Sequence, residues 1–346
     1  MNASATLRAS FYGPDGPLGF SPGDLRSNRR HTMGADIEAL RKRRTMVPVN
    51  YGDYSAQCRE VKETASDESI FSIDDDTLEP ISVREQIGRM FTIWPWRDAN
   101  WVISVAFVFG SISFTVGAFF SLLPFVAPET IFEGELEVGL PVANFLGAVP
   151  FLCAGTVGLV AGWNADRGEF EPVEVKTKDG ITKTYKPALL GSSAWVWIPS
   201  AADLKVVLKS VAFQSSLVQF TGGLFFSISL VGGFPGLLAP DNILGTQLLL
   251  YTPLAIGGTM FFFANLTLMF WLQERWFKPK LNSAAWQATF WSTIGSFCFA
   301  LTGFALFVGD AATSTYATFI GSWFFLIGSV ISWYDIMAFH PDSWAA

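Results

Sequence analysis

Six long apolar segments follow a mostly polar stretch of about a hundred residues. They span residues 101–125, 141–163, 207–234, 247–272, 285–308 and 316–336. A helix rises about 1.5 Å per residue and the hydrocarbon core of a bilayer is about 30 Å thick, so about 20 apolar residues cross it. The pattern therefore predicts an all-α membrane fold with six transmembrane helices.

One motif recurs in all six segments: two small residues, a Phe four positions after the first of them, and two more small residues at a spacing of seven, with Leu230 as the one exception. Residues seven apart share a helix face, and small residues let helices approach closely in lipid. We interpret the motif as a helix-packing seam; the alternative is that six such faces line a lipid or small-molecule cavity closed by the phenyl rings. The packing glycines predicted from it are Gly110, Gly117, Gly147, Gly222, Gly257, Gly295, Gly321 and Gly328.

Trp-Pro pairs precede the odd segments, and a Trp with a nearby acidic residue ends the even ones. These borders group the helices into three tandem hairpins, a repeat, at 99–166, 195–275 and 276–336. The alternative is six independent helices that are alike only because small residues and Phe are common in membranes. Outside the hairpins we predict a disordered cytosolic tail (1–79), an interfacial amphipathic helix (80–98), a cytosolic loop with a β-hairpin around Asp179-Gly180 (167–194) and a cytosolic C-terminus (337–346).

Basic residues indicate the topology better than the net charge of −7 does. The connections 126–140, 235–246 and 309–315 contain no Lys or Arg, whereas all 23 basic residues lie before the first span (1–98), in 164–209 or in 273–284. Positive charge is retained on the cytosolic side of a membrane. We therefore expect an integral membrane protein with both termini in the cytosol.

The tail carries charge runs of the kind that kinases and anionic lipids recognise. Thr32 and Thr45 follow arginine-rich runs, and Ser69 lies among acidic residues. A basic cluster attracts anionic lipid by about 1 kcal/mol per residue, and phosphorylation weakens that attraction. These three residues are our candidate phosphorylation sites; the alternative is a solvated tail with incidental charge runs.

Chemistry inside the predicted spans is sparse. Their central parts contain no Asp, Glu, Lys, Arg or His, and both histidines lie outside them. A nucleophile has no base there, a proton-coupled carrier has no titrating group, and Cys58, Cys153 and Cys298 show no paired spacing. We therefore expect no catalytic residues, no cofactor and no metal site.

Uncharged polar residues remain in the third, fourth and fifth spans. Interhelical hydrogen bonds account for them, and the alternative is a polar path for a neutral solute or a lipid headgroup. Gln214, Gln219 and Asn265 are the residues we assign to such a path.

Several local runs resemble a known group of proteins. Trp94-Pro95-Trp96-Arg97-Asp98, the Phe-Ser-Leu-Leu-Pro ending at 120–124 and Gly321-Ser322-Trp323 are similar to those of a family of uncharacterised multi-pass integral membrane proteins of filamentous fungi, and the hairpins look like the two-helix YrhK-type unit. The resemblance covers about residues 90–340. It implies a fungal source and a six-span body, and it implies no activity.

Three functions are compatible with these features. The favoured one is a non-enzymatic membrane protein that organises or senses lipid, or scaffolds partners through a regulated tail. The second is a passive transporter, channel or lipid scramblase for an uncharged or amphipathic substrate. The weakest is an enzyme acting at the cytosolic face through Asp166, Glu274 or Asp335. We expect membrane lipids as partners, further copies of the chain or other proteins as candidates through the tail, and no nucleic acid.

Overall fold

The computed structural model of the protein describes residues 83–338, except 166, 168, 174–181, 187, 240 and 274. The predicted tail with Thr32, Thr45 and Ser69 lies outside the described residues. So do Asp166, Glu274 and most of the predicted C-terminal segment 337–346.

Eight helices, numbered in chain order, make up the described body. They are α1 Val83–Thr92, α2 Ala99–Val126, α3 Glu135–Asn164, α4 Ala201–Val207, α5 Val211–Gly232, α6 Ile243–Trp271, α7 Ala284–Phe307 and α8 Ala311–Ala338. Six of them (α2, α3, α5, α6, α7 and α8) are long and apolar enough to cross a bilayer. The protein is thus an all-helical membrane body of six spans in three consecutive hairpins, as the sequence predicts.

The helix ends differ from the predicted borders at several places. The third span begins at Val211, not at 207, because the chain breaks between α4 and α5. Lys209 lies in that break and therefore outside the span. Ser200 caps α4, accepting a hydrogen bond from the Asp203 N–H at 3.2 Å, and does not cap the third span.

Five spans begin earlier than predicted, and two of these, α3 and α6, contain a π-helical turn near their start. The turn Glu135–Gly139 opens α3, and the turn Gln247–Tyr251 follows the first residues of α6. A π-helical turn widens the helix locally, and both turns lie at the same end of the body. At the opposite end α8 continues to Ala338, two residues beyond its predicted border.

The six spans form a closed ring. In order around it each helix packs against the next, α2, α3, α5, α6, α7 and α8, and α8 packs back against α2. We call the end where α2, α5 and α7 begin the near end of the ring, and the other the far end. The three hairpins are therefore neighbours in space as well as in sequence, and the contact of α8 with α2 closes the structure.

The connection between the first and second hairpins contains a small antiparallel strand pair. Strand β1, Glu169–Val173, pairs with β2, Thr182–Lys186, with Glu169 opposite Lys186 and Val173 opposite Thr182. The predicted Asp179-Gly180 turn between them lies outside the described residues.

Helix α1 lies against the near end of the ring, on α8 and α2. Met90 is buried, the Tyr334 hydroxyl donates to Gln86 Oε1 at 2.6 Å, and the rings of Phe91 and Trp333 meet edge to face at 5.5 Å. Val83 and Ile87 stay exposed along one side of α1. This is the arrangement of an amphipathic helix that is anchored to the bundle and keeps apolar side chains free for the interface.

Candidate functional site

The ring is filled at its centre by the Phe residues of the repeated motif. Every span contributes one of them, and each is between 3% and 9% exposed: Phe114, Phe151, Phe226, Phe261, Phe299 and Phe325. We call these six residues the phenyl layer. Phenyl groups of neighbouring helices meet at centroid distances such as 5.1 Å for Phe114 and Phe151 and 5.8 Å for Phe226 and Phe261.

Contacts also run across the ring. The Phe114 and Phe299 centroids lie 6.3 Å apart although α2 and α7 are not neighbours, and Phe261 reaches Phe325 at 6.4 Å. Edge-to-face contacts of this kind add to the dispersion energy of packing. The six phenyl groups therefore occupy the interior of the ring where the predicted cavity would lie.

Each Phe of the first two hairpins packs against a glycine of the helix with which it forms the hairpin. A methyl group placed on Gly147 would lie 2.7 Å from the Phe114 ring, and one placed on Gly110 would overlap the ring of Phe151. In the second hairpin a methyl group placed on Gly257 would lie 3.1 Å from Phe226 Cβ, and one placed on Gly222 would lie 3.4 Å from the Phe261 ring. The small residues at these positions make room for the phenyl layer.

The third hairpin is less symmetrical. A methyl group placed on Gly295 would lie 2.6 Å from the Phe325 ring, whereas one placed on Gly321 would lie 2.9 Å from Cys298 Cβ and 3.7 Å from the Phe299 backbone N. The stretch at 321–329 is the clearest copy of the motif in sequence. In its hairpin, however, the Phe325 ring packs on Gly295, whereas the Phe299 ring does not pack on Gly321 in the same way.

The two remaining predicted glycines meet polar side chains. A methyl group would lie 2.5 Å from Asn144 Oδ1 at Gly117 and 2.5 Å from Ser292 Oγ at Gly328. All eight predicted glycines thus lie where a neighbouring helix comes too close for a larger side chain.

Two of the three residues of the predicted polar path are buried on neighbouring helices, and the third is exposed. Asn265 is 1% exposed and donates to Phe261 O and to Ser296 Oγ, both at 2.9 Å, which ties α6 to α7. Gln219 is buried on the neighbouring helix α5. Gln214 is exposed and its amide donates to Leu208 O at 2.8 Å, so it lies outside the ring interior and joins no path there.

On the far side of the phenyl layer, two contacts between polar groups join neighbouring helices, whereas Thr259 Oγ1 is buried without a partner in the described part of the chain. The Ser229 hydroxyl donates to Leu250 O at 2.8 Å, and the Thr302 and Thr318 hydroxyls lie 3.0 Å apart. On the near side, several buried polar atoms have no hydrogen-bond partner in the described part of the chain: Asn100 Oδ1, Ser192 Oγ, Trp195 Nε1, Ser215 Oγ, Ser216 Oγ and Asn265 Oδ1. Buried polar atoms without a partner thus occur on both sides of the phenyl layer.

A loop closes the near end of the ring. The Asn164 side chain forms two hydrogen bonds with the Val196 backbone, donating to its O and accepting from its N–H, each at 2.8 Å. Trp163 Nε1 donates to the same O at 2.9 Å. Arg97 is joined to Leu190 by two further bonds, of 2.8 Å and 3.2 Å. We call residues 188–199 the near-end loop.

Ionisable groups lie at the two ends of the spans. Asp335 is buried near the end of α8, and Asp98 caps α2 by accepting from the Asn100 N–H at 3.0 Å. Asp310 caps α8, accepting from the Thr313 hydroxyl at 2.6 Å and from its N–H at 2.9 Å. These bonds, that of the hydroxyl first, hold the pKa of the exposed Asp310 carboxyl below its ordinary value.

Glu135 is a buried acid that sequence reasoning missed. It belongs to the predicted connection 126–140, yet it is fully buried and opens α3. Its Oε2 accepts from the Phe132 N–H at 3.3 Å, and its Oε1 has no partner in the described chain. Gly134 makes the turn with a φ of 82°, which a side chain would strain.

Among residues 83–338 as described, no three His, Cys, Asp or Glu side chains come together in a way that would hold a metal ion. A comparison of the chain with protein-family models, with curated proteins and with solved structures found no match. The resemblance to a fungal family with YrhK-like hairpins therefore stays a prediction, and the function is argued from the geometry of the ring.

Proposed function

We propose that the protein is a non-enzymatic membrane scaffold that organises lipid around a rigid six-helix ring and presents a regulated tail in the cytosol. The observation that supports this role best is the phenyl layer. Six phenyl groups in mutual contact fill the middle of the ring, with glycines of the hairpins packed against them. Such an interior resembles a close-packed core, and a packed core resists deformation.

The outer surface of the ring suits contact with lipid chains. Phe109, Phe263 and Phe304 point outwards with more than half of their surface exposed. Because the centre of the ring is filled and its outer surface carries large apolar groups, we place the function in the contacts of this outer surface with the surrounding lipid. Together with α1 at the near end, they give the body a large lipid-facing surface.

The proposed orientation places the near end of the ring in the cytosol. The near end carries the basic residues of the connections, including Lys205, Lys209 and Arg275, and positive charge is retained on the cytosolic side. The tail then lies beside anionic headgroups. Phosphorylation at Thr32, Thr45 or Ser69 would weaken that contact by adding negative charge.

A fluorophore on Cys58 tests the tail. The other two cysteines, Cys153 and Cys298, are replaced by Ala, and the full chain is placed in nanodiscs of neutral or of partly anionic lipid. Quenching by headgroup-labelled lipid is expected to rise with anionic lipid and to fall after kinase treatment, and the triple variant T32A/T45A/S69A should show no fall. Equal quenching in both lipids would reject the regulated tail.

Passive passage of an uncharged or amphipathic substrate is the second candidate. It is favoured by the unpaired polar atoms on the near side of the phenyl layer, which would solvate such a molecule as far as the layer. Purified protein in sealed vesicles decides between the two candidates. The scaffold role predicts no flux of glycerol, urea or labelled lipid above that of empty vesicles, and a saturable flux would replace it with the second candidate.

A further inference from the structure

The three hairpins share one register, so their positions can be compared one by one. In the first span of each hairpin the motif glycine follows the N-cap residue at the same spacing: Gly110 after Asp98, Gly222 after Ser210 and Gly295 after Ser283. The hairpins meet at three places, which we call the first joint (α3 with α5), the second joint (α6 with α7) and the third joint (α8 with α2). If the repeat were exact, the three joints would make the same contacts.

A polar contact closes the second joint and the third joint at the same position. At the second joint Asn265 Nδ2 donates to Ser296 Oγ at 2.9 Å, and at the third joint the Ser329 and Ser111 hydroxyls lie 3.1 Å apart. All four side chains are between 0% and 6% exposed. In both joints one partner lies eight residues after the motif glycine of its span, and the other follows its motif glycine directly. Two of the three joints therefore repeat one buried contact.

The first joint has glycine at both of these positions, Gly155 on α3 and Gly223 on α5. Neither glycine has a side chain to form the bond, and close packing does not require either of them. A methyl group would lie 3.5 Å from the Phe220 ring at Gly155 and 3.8 Å from the Phe261 ring at Gly223, which are ordinary contact distances. Both glycines are partly exposed. The middle of the first joint is therefore less buried than the same part of the other two joints and lacks their polar contact.

Leu230 lies at the same joint. It is the one residue that departs from the small-residue motif, and its equivalents are Gly303 at the second joint and Ala118 at the third. Gly303 approaches α6 so closely that an added methyl group would lie 2.6 Å from Ala255 Cα. The α3 residue equivalent to Ala255 is Phe145, which is 44% exposed. Two bulky side chains in place of a glycine and an alanine keep the backbones of α3 and α5 from such a close approach. The first joint is also the least extensive of the three.

The near end of the first joint, by contrast, is held by several contacts. Asn164 forms its two hydrogen bonds of 2.8 Å with the near-end loop, and the Arg167 guanidinium lies 2.8 Å from the Asp203 carboxylate. Both contacts tie the end of α3 to the segment that leads into α5. A methyl group placed on Gly162 would lie 2.8 Å from the Phe213 ring, so the two helices also pack closely at this end.

In the far half of the first joint the rings of Phe145 and Phe234 meet at 5.9 Å. Such an apolar contact can separate without leaving a polar group unpaired, because lipid chains are as apolar as the rings. We propose that the ring opens sideways at the first joint: α3 and α5 part in their middle and far half, with the bonded near end as the hinge. Each hairpin moves as a rigid body, and the second and third joints stay closed. The opening does not depend on whether the body acts as a scaffold or passes a substrate.

Distances between two spin labels, measured by pulsed electron paramagnetic resonance on the full chain in phosphatidylcholine nanodiscs, test the opening. The three native cysteines are replaced by Ala, and labels are attached to Leu146→Cys on α3 and Val231→Cys on α5. The register supplies a matched control at the second joint, Ile256→Cys on α6 with Phe304→Cys on α7. All four positions are exposed, so the labels need not disturb the interior of the ring.

The pair at the first joint should give a second distance that is longer than the main one by about 4 Å or more, the separation of two carbon chains in van der Waals contact. The pair at the second joint should give one distance. A single distance at both joints would overturn the proposal. A longer second distance at both joints would also overturn it, because the whole ring would then loosen.

A closing variant tests the cause of the opening. Gly155→Asn combined with Gly223→Ser places at the first joint the residues that bond at the second, Asn265 and Ser296. The population of the longer distance should fall about threefold, the effect of one hydrogen bond between membrane helices. Gly155→Ala combined with Gly223→Ala is the control, because it adds two methyl groups and no hydrogen-bonding group. An equal fall in both variants would reject the missing bond as the cause of the opening.

Discussion

Gly147 on α3 lies directly against the ring of Phe114 on α2, so closely that an added methyl group would come within 2.7 Å of the ring. The reciprocal pair, Gly110 on α2 and Phe151 on α3, makes the same contact one step along the hairpin. In lipid, contact between helices gains little from the hydrophobic effect and depends on this kind of close packing. The stability of the protein therefore depends at this contact on Gly147 having no side chain, because any larger residue would collide with the Phe114 ring.

Gly147→Ala should destabilise the protein by about 1–3 kcal/mol, because overpacking forces the Phe114 ring or the backbone to move. Gly155→Ala is the control within the same helix. Its added methyl would meet the Phe220 ring at 3.5 Å, an ordinary contact, and alanine favours a helix over glycine by about 1 kcal/mol. Unfolding in mixed detergent micelles measures both, and equal stability of the two variants would contradict the packing role of Gly147.

Phe299→Ala tests the phenyl layer. Phe299 contacts the rings of Phe114, Phe226 and Phe325, so its loss opens a cavity at the centre of the ring. We expect a loss of about 1–3 kcal/mol, less than in a soluble core because lipid is as apolar as the ring interior. Phe304→Ala on the same helix is the control, since Phe304 is 54% exposed towards the surroundings.

The outcome is measured as the midpoint of unfolding in detergent. A larger loss for Phe304→Ala than for Phe299→Ala would mean that the interior of the ring is not the main source of its stability.

Asn164→Leu should release the near-end loop. The substitution removes both bonds to the Val196 backbone, leaving its N–H unpaired and costing about 1–3 kcal/mol locally. Amide exchange in peptides covering 190–200, followed by mass spectrometry, should then be about tenfold faster or more, since ~1.4 kcal/mol corresponds to a factor of ten. Thr156→Ala on the same helix is the control, because its hydroxyl bonds only to Leu152 O within α3. Unchanged exchange in Asn164→Leu would show that other contacts hold the loop.

Much of this architecture follows from local sequence. Gly110, Phe114 and Gly117 lie on one face by helical periodicity alone, and small residues beside a Phe are compatible only with close packing. The number of spans and their hairpin order follow from segment length and border residues. These are short-range properties, and they were predicted correctly.

The favoured packing-seam interpretation did not predict that the six Phe residues would converge in one layer; only the alternative interpretation placed the phenyl rings together, closing a cavity. This convergence requires α8 to pack against α2, a contact between residues more than 200 positions apart, such as Ser111 with Ser329. The burial of Trp195 and Glu135 was missed for the same reason, because each depends on which distant segment covers it. Lys209 was placed inside a span because apolar residues continue on both sides of it, although the helix breaks there.

The Asp310 cap should make the first turn of α8 less stable at acidic pH. Its pKa is lowered from 3.8 by the bonds from Thr313, so the charged carboxylate stabilises the first turn of α8 above pH 3.8. That contribution is lost as the pH falls below 3.8 and passes the lowered folded-state pKa. Carbon-detected NMR of the aspartate carboxyl should give a midpoint below 3.8, and Thr313→Val should bring it closer to 3.8 because the hydroxyl bond is gone. A midpoint unchanged by Thr313→Val would show that the Thr313 hydroxyl does not cause the lowered pKa of Asp310.

The proposed orientation places the far end of the ring outside the cytosol. The connection 126–140 at that end contains four acidic residues and no Lys or Arg, and Glu129 in it is exposed. A glycosylation acceptor inserted after Glu129, within a flexible Gly-Ser spacer that clears the membrane, should be modified in the endoplasmic reticulum. The same insertion after Ser193 in the near-end loop should stay unmodified, because positive charge keeps that end in the cytosol. A shift in gel mobility that endoglycosidase reverses measures the modification, and a shift for Ser193 alone would invert the protein in the membrane and place the tail outside the reach of cytosolic kinases.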